Sequence, residues 1–502
     1  MSLLAVDLGS SSCKAVAFAL DGRMLAERSL SYRPDHSTAS HVEMPVQRFW
    51  ESLCAMTRSI AEGLAENPVE VMTLSSHGET FVPVDSHYQP LSPAILNMDN
   101  RAVAQARWMA EELGRRRIFE ITGQAVHPMY PVPKILWLRE NRKDVFSACA
   151  RFLGVTDYLL TRCGLPALID YSLASRFLAF DIRRQCWSQE ILAACQLRSD
   201  CFATPIPAGT VAGHLPMAAA SEMGLAAGTQ VVVGGHDQPC AALGLGVVER
   251  GRVSASLGTY ECLLAASEAP AITDEAFSAN LNSSCHVFPN RYVTLAYFPS
   301  GMMVDWFLRL ISSDNAISSA DAVKKLCQNL EGQAPPGPTG LFITPHLVGT
   351  CNPDFNPDAT GVIVGIRPTT NSSHIYKGIL EGIAFELANM TDLLKRATGG
   401  FDALHVTGGG CRSPLGLELR AAITGCRLHQ MHCPEAVCLG TAILGGVGSA
   451  RYHSFSEAIE QLVQVESTLD PRREVAESYQ KQLEQYRLLY ASLASIHATD
   501  VS

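Results

Sequence analysis

Apolar and polar residues follow the same order in two distant parts of the chain. Each part begins with a short apolar strand that runs into a polar, glycine-containing turn and then continues into further strands. The recurrence lies in the architecture and not in the residue identities. It predicts two related α/β halves that face one another, with a boundary near 247–251. The predicted strands cover residues 3–6, 13–20, 23–31, 230–233, 253–256 and 261–265, and a turn is predicted around Gly235-His236-Asp237.

Between these strands, apolar residues recur at helical spacing. The C-terminal stretch 473–497 is amphipathic and rich in charge, which predicts a surface helix. The sequence GQAPPGPTG at 332–340 is the clearest loop. Because 502 residues exceed one ordinary core, we predict two domains, 1–246 and 247–502. The other predicted helices cover residues 44–66, 101–114, 132–143, 302–312, 374–397 and 413–424.

Composition narrows the class of protein. A hydrophobic content of 47% with 18% charged residues is typical of a well-packed globular chain. The net charge of -10 argues against nucleic-acid and anionic-membrane partners. The 16 cysteines contain no CxxC pair, so we expect reduced thiols and no cysteine metal cluster. The N-terminus has no basic leader, and no apolar run reaches the roughly 18 residues of a membrane span. We therefore expect a cytoplasmic protein.

Three glycine-containing turns are candidates for contacts with phosphate or nucleotide. Gly9–Ser12 and Gly258–Thr259 each follow an apolar strand and could present backbone N–H groups to phosphates, although each could also be a simple turn. Gly408–Gly410 precedes a predicted helix and could approach a flat ligand, or serve as a flexible connection. A Walker-type GxxxxGK[ST] motif and a dinucleotide fingerprint are both absent from the sequence.

Two aspartates stand beside these turns. Asp237 follows a strand rich in valine, where a carboxylate could accept the proton of an attacking hydroxyl. It could equally cap a helix, because Pro239 suits a first helical turn. Asp7 could contact magnesium through water, or simply form the turn.

Residues 129–141, MYPVPKILWLREN, match the signature of the FGGY carbohydrate kinases position by position. The same family carries four further motifs, all present here in order. They are the Asp-x-Gly-Ser turn at Asp7, the Gly-Gly-x-Asp segment ending at Asp237, the Gly258-Thr259 turn and the Gly408–Gly410 loop. The chain therefore resembles this family across residues 3–450. The second family signature, near Gly378, matches only in its first half.

The resemblance implies an α/β fold of two actin-like (ribonuclease H-like) ATPase domains with a central interdomain cleft. It implies an enzyme that uses ATP and Mg²⁺ to phosphorylate a small sugar or polyol. Asp237 matches the catalytic base and Asp7 the magnesium residue, whereas Lys134 and Trp137 match fold-defining positions. A homodimer is compatible with the resemblance. The positions matching the family's ATP-binding residues are Gly9, Ser10, Ser11, Ser12, Gly258, Thr259, Gly409, Gly410 and Ser413, the last standing where some relatives have Asn.

The sequence gives less information about the substrate. Glu79 and Thr80 resemble the glycerol-kinase pair, but Gly78 and Asn97 replace an arginine and a tryptophan of those enzymes, which predicts a wider pocket. Residues 170–176 resemble the xylulose and gluconate kinases. We therefore expect a ketopentose or linear polyol, with a glycerol- or gluconate-kinase-like enzyme and an actin-like nucleotide-dependent sensor as alternatives. Glu79 could also be an exposed loop acid. The positions matching substrate-binding residues are His77, Glu79, Thr80, Asp99, Asp237 and Gln238.

Overall fold

The protein is organised by two large mixed β-sheets. A computed structural model describes residues 1–36, 38, 40–64, 66–312 and 319–497. The strands are β1 (Ser2–Leu8), β2 (Ser12–Phe18), β3 (Met24–Ser31), β4 (Asp35–His36), β5 (Val42–Met44), β6 (Val69–Ser76), β7 (Val82–Val84), β8 (Ala94–Ile95), β9 (Arg151–Leu153), β10 (Leu168–Asp170), β11 (Phe180–Asp181), β12 (Cys186–Trp187), β13 (Thr204–Ile206), β14 (Val211–His214), β15 (Gln230–His236), β16 (Val253–Leu257), β17 (Tyr260–Ser267), β18 (Asn282–Cys285), β19 (Tyr292–Pro299), β20 (Phe342–Thr344), β21 (Val362–Val364), β22 (Ala403–Thr407), β23 (Arg427–Met431) and β24 (Val465–Leu469).

Helices cover the faces of both sheets. They are α1 (Val46–Glu62), α2 (Val103–Met109), α3 (Arg115–Thr122), α4 (Pro131–Asn141), α5 (Lys143–Ala148), α6 (Val155–Arg162), α7 (Tyr171–Ala174), α8 (Gln189–Ala194), α9 (Met217–Met223), α10 (Asp237–Gly244), α11 (Asp274–Ser278), α12 (Gly301–Ile311), α13 (Ala320–Gly332), α14 (Ser372–Thr398), α15 (Pro414–Thr424), α16 (Ala436–Gly448), α17 (Phe455–Leu462) and α18 (Arg473–His497). Within the described ranges, none of these helices combines the length and apolar character needed to cross a bilayer.

The two large sheets repeat one strand pattern. The first has the order β14-β15-β6-β1-β2-β3 and the second the order β18-β19-β17-β16-β22-β23-β24. In each, antiparallel strands lead into three parallel strands (β1, β6 and β15, or β16, β22 and β23), and a further antiparallel strand closes the edge. The architectural recurrence predicted from the sequence is confirmed.

Several predicted boundaries shift. The helix predicted at 44–66 is α1, which ends at Glu62, and residue 65 lies outside the described residues. The single helix predicted at 101–114 is α2 followed by a π-helical turn, after which α3 begins. The turn predicted at residues 235–237 is instead a direct junction, where β15 ends at His236 and α10 begins at Asp237. A Cβ on Gly234 would lie 2.1 Å from the Leu74 carbonyl oxygen, so this glycine serves close strand packing and not a turn.

Helix α16 carries the second half of the sequence back onto the first sheet. Its residues Leu439 and Ile443 share one hydrophobic core cluster with Leu3 and Val71 of that sheet. It also crosses α10 at glycines, because a Cβ on Gly440 would lie 1.8 Å from the Cys240 carbonyl oxygen. Residues beyond the predicted boundary therefore complete the core of the first half. The division at 246/247 stays a prediction.

This crossing gives a stability prediction. Gly440→Ala forces a methyl group into the Cys240 backbone, so the two helices must separate. We expect the free energy of unfolding to fall by about 1–3 kcal/mol, measured by urea denaturation. Gly400→Ala is the matched control, because a Cβ there meets no atom within 4 Å. Equal urea midpoints for the two variants would contradict the close crossing.

Candidate active site

The carboxyl ends of three parallel strands meet at one edge of the first sheet. Leu8 of β1 and His236 of β15 both lie beside Ser76 of β6 in the sheet register. Polar residues at or just beyond these ends must therefore lie close together. Three of the site residues predicted from the sequence lie at this edge, namely Asp7, His77 and Asp237.

Asp237 is the first residue of α10 but does not cap it. The N-cap position is His236, and no side chain caps this helix. Asp237 Oδ1 is buried and has no hydrogen-bond partner among the described residues. His236 Nε2 lies 3.2 Å from it, outside hydrogen-bonding geometry. The capping alternative is therefore not what the structure shows, and one carboxylate oxygen remains available.

The surroundings of Asp237 favour its protonated form. Burial is the largest cause, and the negative charges of Asp7 and Glu79 add to it. Together they raise the pKa of Asp237 well above its usual value, more than the Gln238 amide and Arg176 lower it. A carboxyl group with a raised pKa is suited to accept a proton from a hydroxyl. Gln238 itself is half-buried beside it.

Asp7 lies at the end of β1, where the Ser75 hydroxyl donates to its Oδ1 at 2.9 Å. Burial raises the pKa of Asp7 to about 6, although Ser75 and Lys14 lower it. Lys14 forms an ion pair with Glu435, with 2.6 Å between Lys14 Nζ and Glu435 Oε2. The charge of Asp7 is one cause of the raised pKa of Asp237. The carboxylate of Asp7 fits a divalent cation that takes its other ligands from phosphates and water.

The turn Gly9–Ser12 is closed by a 2.8 Å hydrogen bond from the Gly9 amide to the Ser12 carbonyl. Tyr32 occupies two carbonyls of the turn, because its amide donates to Ser11 and its hydroxyl to Gly9. The backbone amides of Ser10 and Ser11 make no hydrogen bond to another described residue. The turn therefore keeps N–H donors for an anion.

His77 uses both ring nitrogens within the fold. Its Nδ1 lies 2.8 Å from the Leu8 carbonyl oxygen, and its Nε2 lies 2.7 Å from Thr80 Oγ1. Because a carbonyl only accepts, Nδ1 carries the proton and Nε2 accepts from the Thr80 hydroxyl. Burial lowers the pKa of His77 and keeps the ring neutral. Thr80 Oγ1 also accepts from the Asn97 amide at 3.1 Å. His77 and Thr80 thus join the segments around the site.

Glu79 is buried and forms an ion pair with Arg176, so it is not the exposed loop acid of the alternative interpretation. Arg176 also donates to Gln124 Oε1 at 2.7 Å. A Cβ on Gly78 would lie 2.8 Å from Arg176 Cγ. Arg176 therefore packs closely against Gly78, and the wider pocket expected from Gly78 and Asn97 stays a prediction.

Asp99 is fully buried and internally compensated. Its Oδ2 accepts from the Val42 amide and from Arg101 Nη2, both at 2.7 Å. Arg101 also pairs with Glu43 at 2.7 Å and lies over the Trp137 ring, 4.9 Å from its centroid. The carboxylate is therefore held by Arg101 and by the backbone of β5.

Lys134 bridges the segment that contains Glu79 and the segment that contains Leu96. Its buried Nζ donates to the Leu96 carbonyl at 2.6 Å and lies 3.4 Å from the Glu79 carbonyl. Burial lowers the pKa of Lys134 to about 7, although the nearby carboxylates of Asp99 and Glu79 raise it. These contacts support the structural role expected of this signature residue.

A second site lies against the second sheet, in a cavity of about 410 Å³. Three glycine-containing segments approach one another closely at its wall. The Gly301 amide donates to the Gly258 carbonyl at 3.1 Å, and Gly408, at a φ of 101°, leaves no room for a Cβ against the Leu257 carbonyl. The cavity brings together five of the residues predicted to bind nucleotide, namely Gly258, Thr259, Gly409, Gly410 and Ser413.

Sequence reasoning missed most of the cavity wall. One face of α13 lines it at successive helical turns, and α12 and α14 do the same on other sides. The spacing of these residues is the signal that could have found the α13 face, although amphipathic spacing alone does not distinguish a ligand wall from a core face. The residues are Gly301, Val304, Asp305 and Leu308 of α12, Ala320, Val323, Lys324, Cys327, Gln328 and Glu331 of α13, and Tyr376, Leu380 and Ile383 of α14.

The molecule has two paired lobes. One lobe has carboxylates at its strand ends, and the other has a nucleotide-sized cavity. Together these features define a class of actin-like, nucleotide-dependent enzymes. The N-terminal domain of the FGGY family of carbohydrate kinases matches residues 2–244, and its C-terminal domain matches residues 253–449. The chain therefore belongs to the FGGY family of carbohydrate kinases. It is a sugar kinase, and membership implies use of ATP.

Relatives of similar length carry related names. The xylulose kinase of Bacillus subtilis (strain 168) is 27% identical over 493 residues, covering 97% of this chain and 96% of that protein. The gluconokinase of the same organism is 26% identical over 474 residues, covering 92% and 90%. The Lactobacillus acidophilus xylulose kinase structure has a TM-score of 0.89 at 20% identity and covers 98% of both chains. This likeness confirms the predicted fold class.

The raised pKa values of Asp7 and Asp237 predict the acid limb of activity. Both groups must be ionised, so kcat/KM should fall on acidification with a midpoint near pH 6 or above. The two groups titrate as a pair, and the profile reports macroscopic values. The midpoint for kcat should lie lower, because a bound cation favours the carboxylates. Acid limbs near the ordinary carboxyl pKa in both profiles would contradict the pairing.

Proposed function

We propose that this enzyme transfers the γ-phosphoryl group of ATP to a hydroxyl of a neutral, open-chain ketose or polyol, of the xylulose type. The observation that carries the proposal is the unpaired Oδ1 of Asp237 at the strand edge. It accepts the proton of the acceptor hydroxyl as that oxygen approaches the phosphorus in line. The amides of Ser10 and Ser11 and the Gly258–Thr259 turn would hold the phosphates from opposite lobes.

Asp7 is the carboxylate that would hold Mg²⁺, which would supply charge neutralisation at the phosphate oxygens. Among the described residues there is no cluster of three or more His, Cys, Asp or Glu side chains that could hold a metal. This fits magnesium, which commonly takes one or two carboxylates and completes its shell with substrate and water.

The charge balance of the site favours a neutral acceptor. Arg176 is paired with Glu79, Arg101 with Asp99, and Lys134 with backbone carbonyls. An aldonate carboxylate would find no unpaired cation among these three side chains and would lie near the negative charges of Asp7 and Asp237. The proposal therefore follows the relatives named xylulose kinase and not those named gluconokinase. All 16 cysteines are free, which supports a cytoplasmic setting, and a homodimer stays a prediction.

Removing the base should separate binding from chemistry. Asp237→Asn should lower kcat by about 10²–10⁴-fold, because a positioned proton acceptor is lost. Affinity for ADP, measured by calorimetry, should stay close to that of the parent. Asp470→Asn, which changes an exposed aspartate paired with Arg427, is the matched control and should keep full activity. Parent-level turnover by Asp237→Asn would refute its role.

A coupled ADP-release assay tests the substrate class. We expect the highest kcat/KM among ketopentoses and linear polyols, with gluconate and glycerol far weaker. A gluconate kcat/KM above that of every neutral acceptor would overturn the charge argument. Nucleotide binding without turnover of any sugar would favour the sensor alternative.

A further inference from the structure

Glu331 lines the nucleotide cavity together with Ser413 and Tyr376. It lies in the last turn of α13, where the helix dipole disfavours a negative charge. Two hydroxyls compensate one of its oxygens. Ser413 donates to Oε1 at 2.7 Å, and Tyr376 donates to the same atom at 3.3 Å. The other oxygen, Oε2, has no such donor among the described residues.

The hydrogen bond to Glu331 determines which further hydrogen bonds Ser413 can form. Its hydroxyl proton points to Glu331, and its oxygen accepts from the Gly416 amide at 2.9 Å to cap α15. Ser413 therefore has no proton left for a ligand in this arrangement.

Glu331 is half-buried, and it shares its helix with two other polar residues of the cavity wall, Lys324 and Gln328. Val323, Cys327 and Leu380 supply apolar surface that suits a planar base. Glu261, a buried acid of the same cavity, is already paired with Arg420 and accepts from Ser300 at 2.8 Å. Its negative charge is compensated within the protein.

We propose that Glu331 recognises the exocyclic amino group of the nucleobase and makes the enzyme selective for adenine over hypoxanthine nucleotides. A carboxylate oxygen accepts a hydrogen bond from the amino group of adenine, whereas hypoxanthine presents a carbonyl oxygen at the same ring position. An acceptor facing an acceptor leaves both buried and unpaired. The proposal rests on the assignment of this cavity to the nucleotide.

Calorimetric binding of ADP and IDP to the full-length protein tests it without an acceptor sugar. We expect ADP to bind roughly 10- to 100-fold more tightly than IDP, the size of a hydrogen bond to a charged group. In Glu331→Gln the preference should fall to a few-fold, because the amide can donate to the hypoxanthine carbonyl. Glu418→Gln, the same change on α15 beside a neighbouring cavity, should keep the parent preference.

Binding measurements with 2′-deoxy-ADP identify the part of the nucleotide that Glu331 contacts. The ratio of ADP to 2′-deoxy-ADP affinity should be the same in the parent and in Glu331→Gln. A change in that ratio with an unchanged ADP-to-IDP ratio would overturn the proposal, because the carboxylate would then bind ribose. Equal ADP and IDP affinities in the parent would also overturn it.

Glu331→Asp gives an independent measurement if the glutamine variant does not fold. It keeps the charge on a shorter side chain, so its ADP preference should lie between those of the parent and the glutamine variant. An undiminished preference would contradict a direct contact. Because no sugar is present, a wrong acceptor assignment leaves these results unaffected, whereas absence of ADP binding would remove the nucleotide site itself.

Discussion

The structure depends on the juxtaposition of two buried carboxylates, neither of which forms an ion pair with a lysine or arginine of the described residues. Parallel pairing of β1, β6 and β15 brings Asp7 and Asp237 to the same sheet edge. Burial raises the pKa of both groups, and the charge of Asp7 raises that of Asp237 further. Such an arrangement costs stability in the free protein above the ordinary carboxyl pKa, since the folded state binds more protons than the unfolded chain between about pH 4 and 6. A cation and an acceptor hydroxyl are the partners that relieve it.

The helix that begins at the candidate base Asp237 packs against both halves of the molecule. Asp237 begins α10, and the same helix is crossed at Gly244 and Gly440 by α16 from the C-terminal part of the chain. Glycines at the crossing bring the two backbones into direct contact. The position of Asp237 is therefore fixed by packing between the lobes and not only by its own strand.

The fold class could be predicted because it depends on local patterns. Apolar strands ending in glycine-containing segments reveal the repeat, and the candidate site residues Asp7, Asp237 and Gly258–Thr259 follow those strands in the sequence. The partners of each side chain are set by tertiary contacts and could not be read in advance. Arg176, distant in sequence, fills the space beside Gly78, and α13 forms a cavity wall although its pattern resembles any amphipathic helix.

The substrate was difficult to predict from the sequence for the same reason. The acids and hydroxyls near the strand edge are visible in the sequence, but their compensation is not. Glu79 and Asp99 both have arginine partners, whereas Asp237 Oδ1 has none. Only the folded chain shows which polar groups are satisfied and which remain for a ligand.

A crystal structure of the enzyme with its acceptor sugar and a non-hydrolysable ATP analogue tests the central claim most directly. The account predicts that the hydroxyl facing the γ-phosphorus lies within hydrogen-bonding distance of the Asp237 carboxylate, about 2.6–3.2 Å between oxygens. A sugar bound with that hydroxyl directed away from Asp237, or with Asp237 sealed off from both ligands, would contradict it.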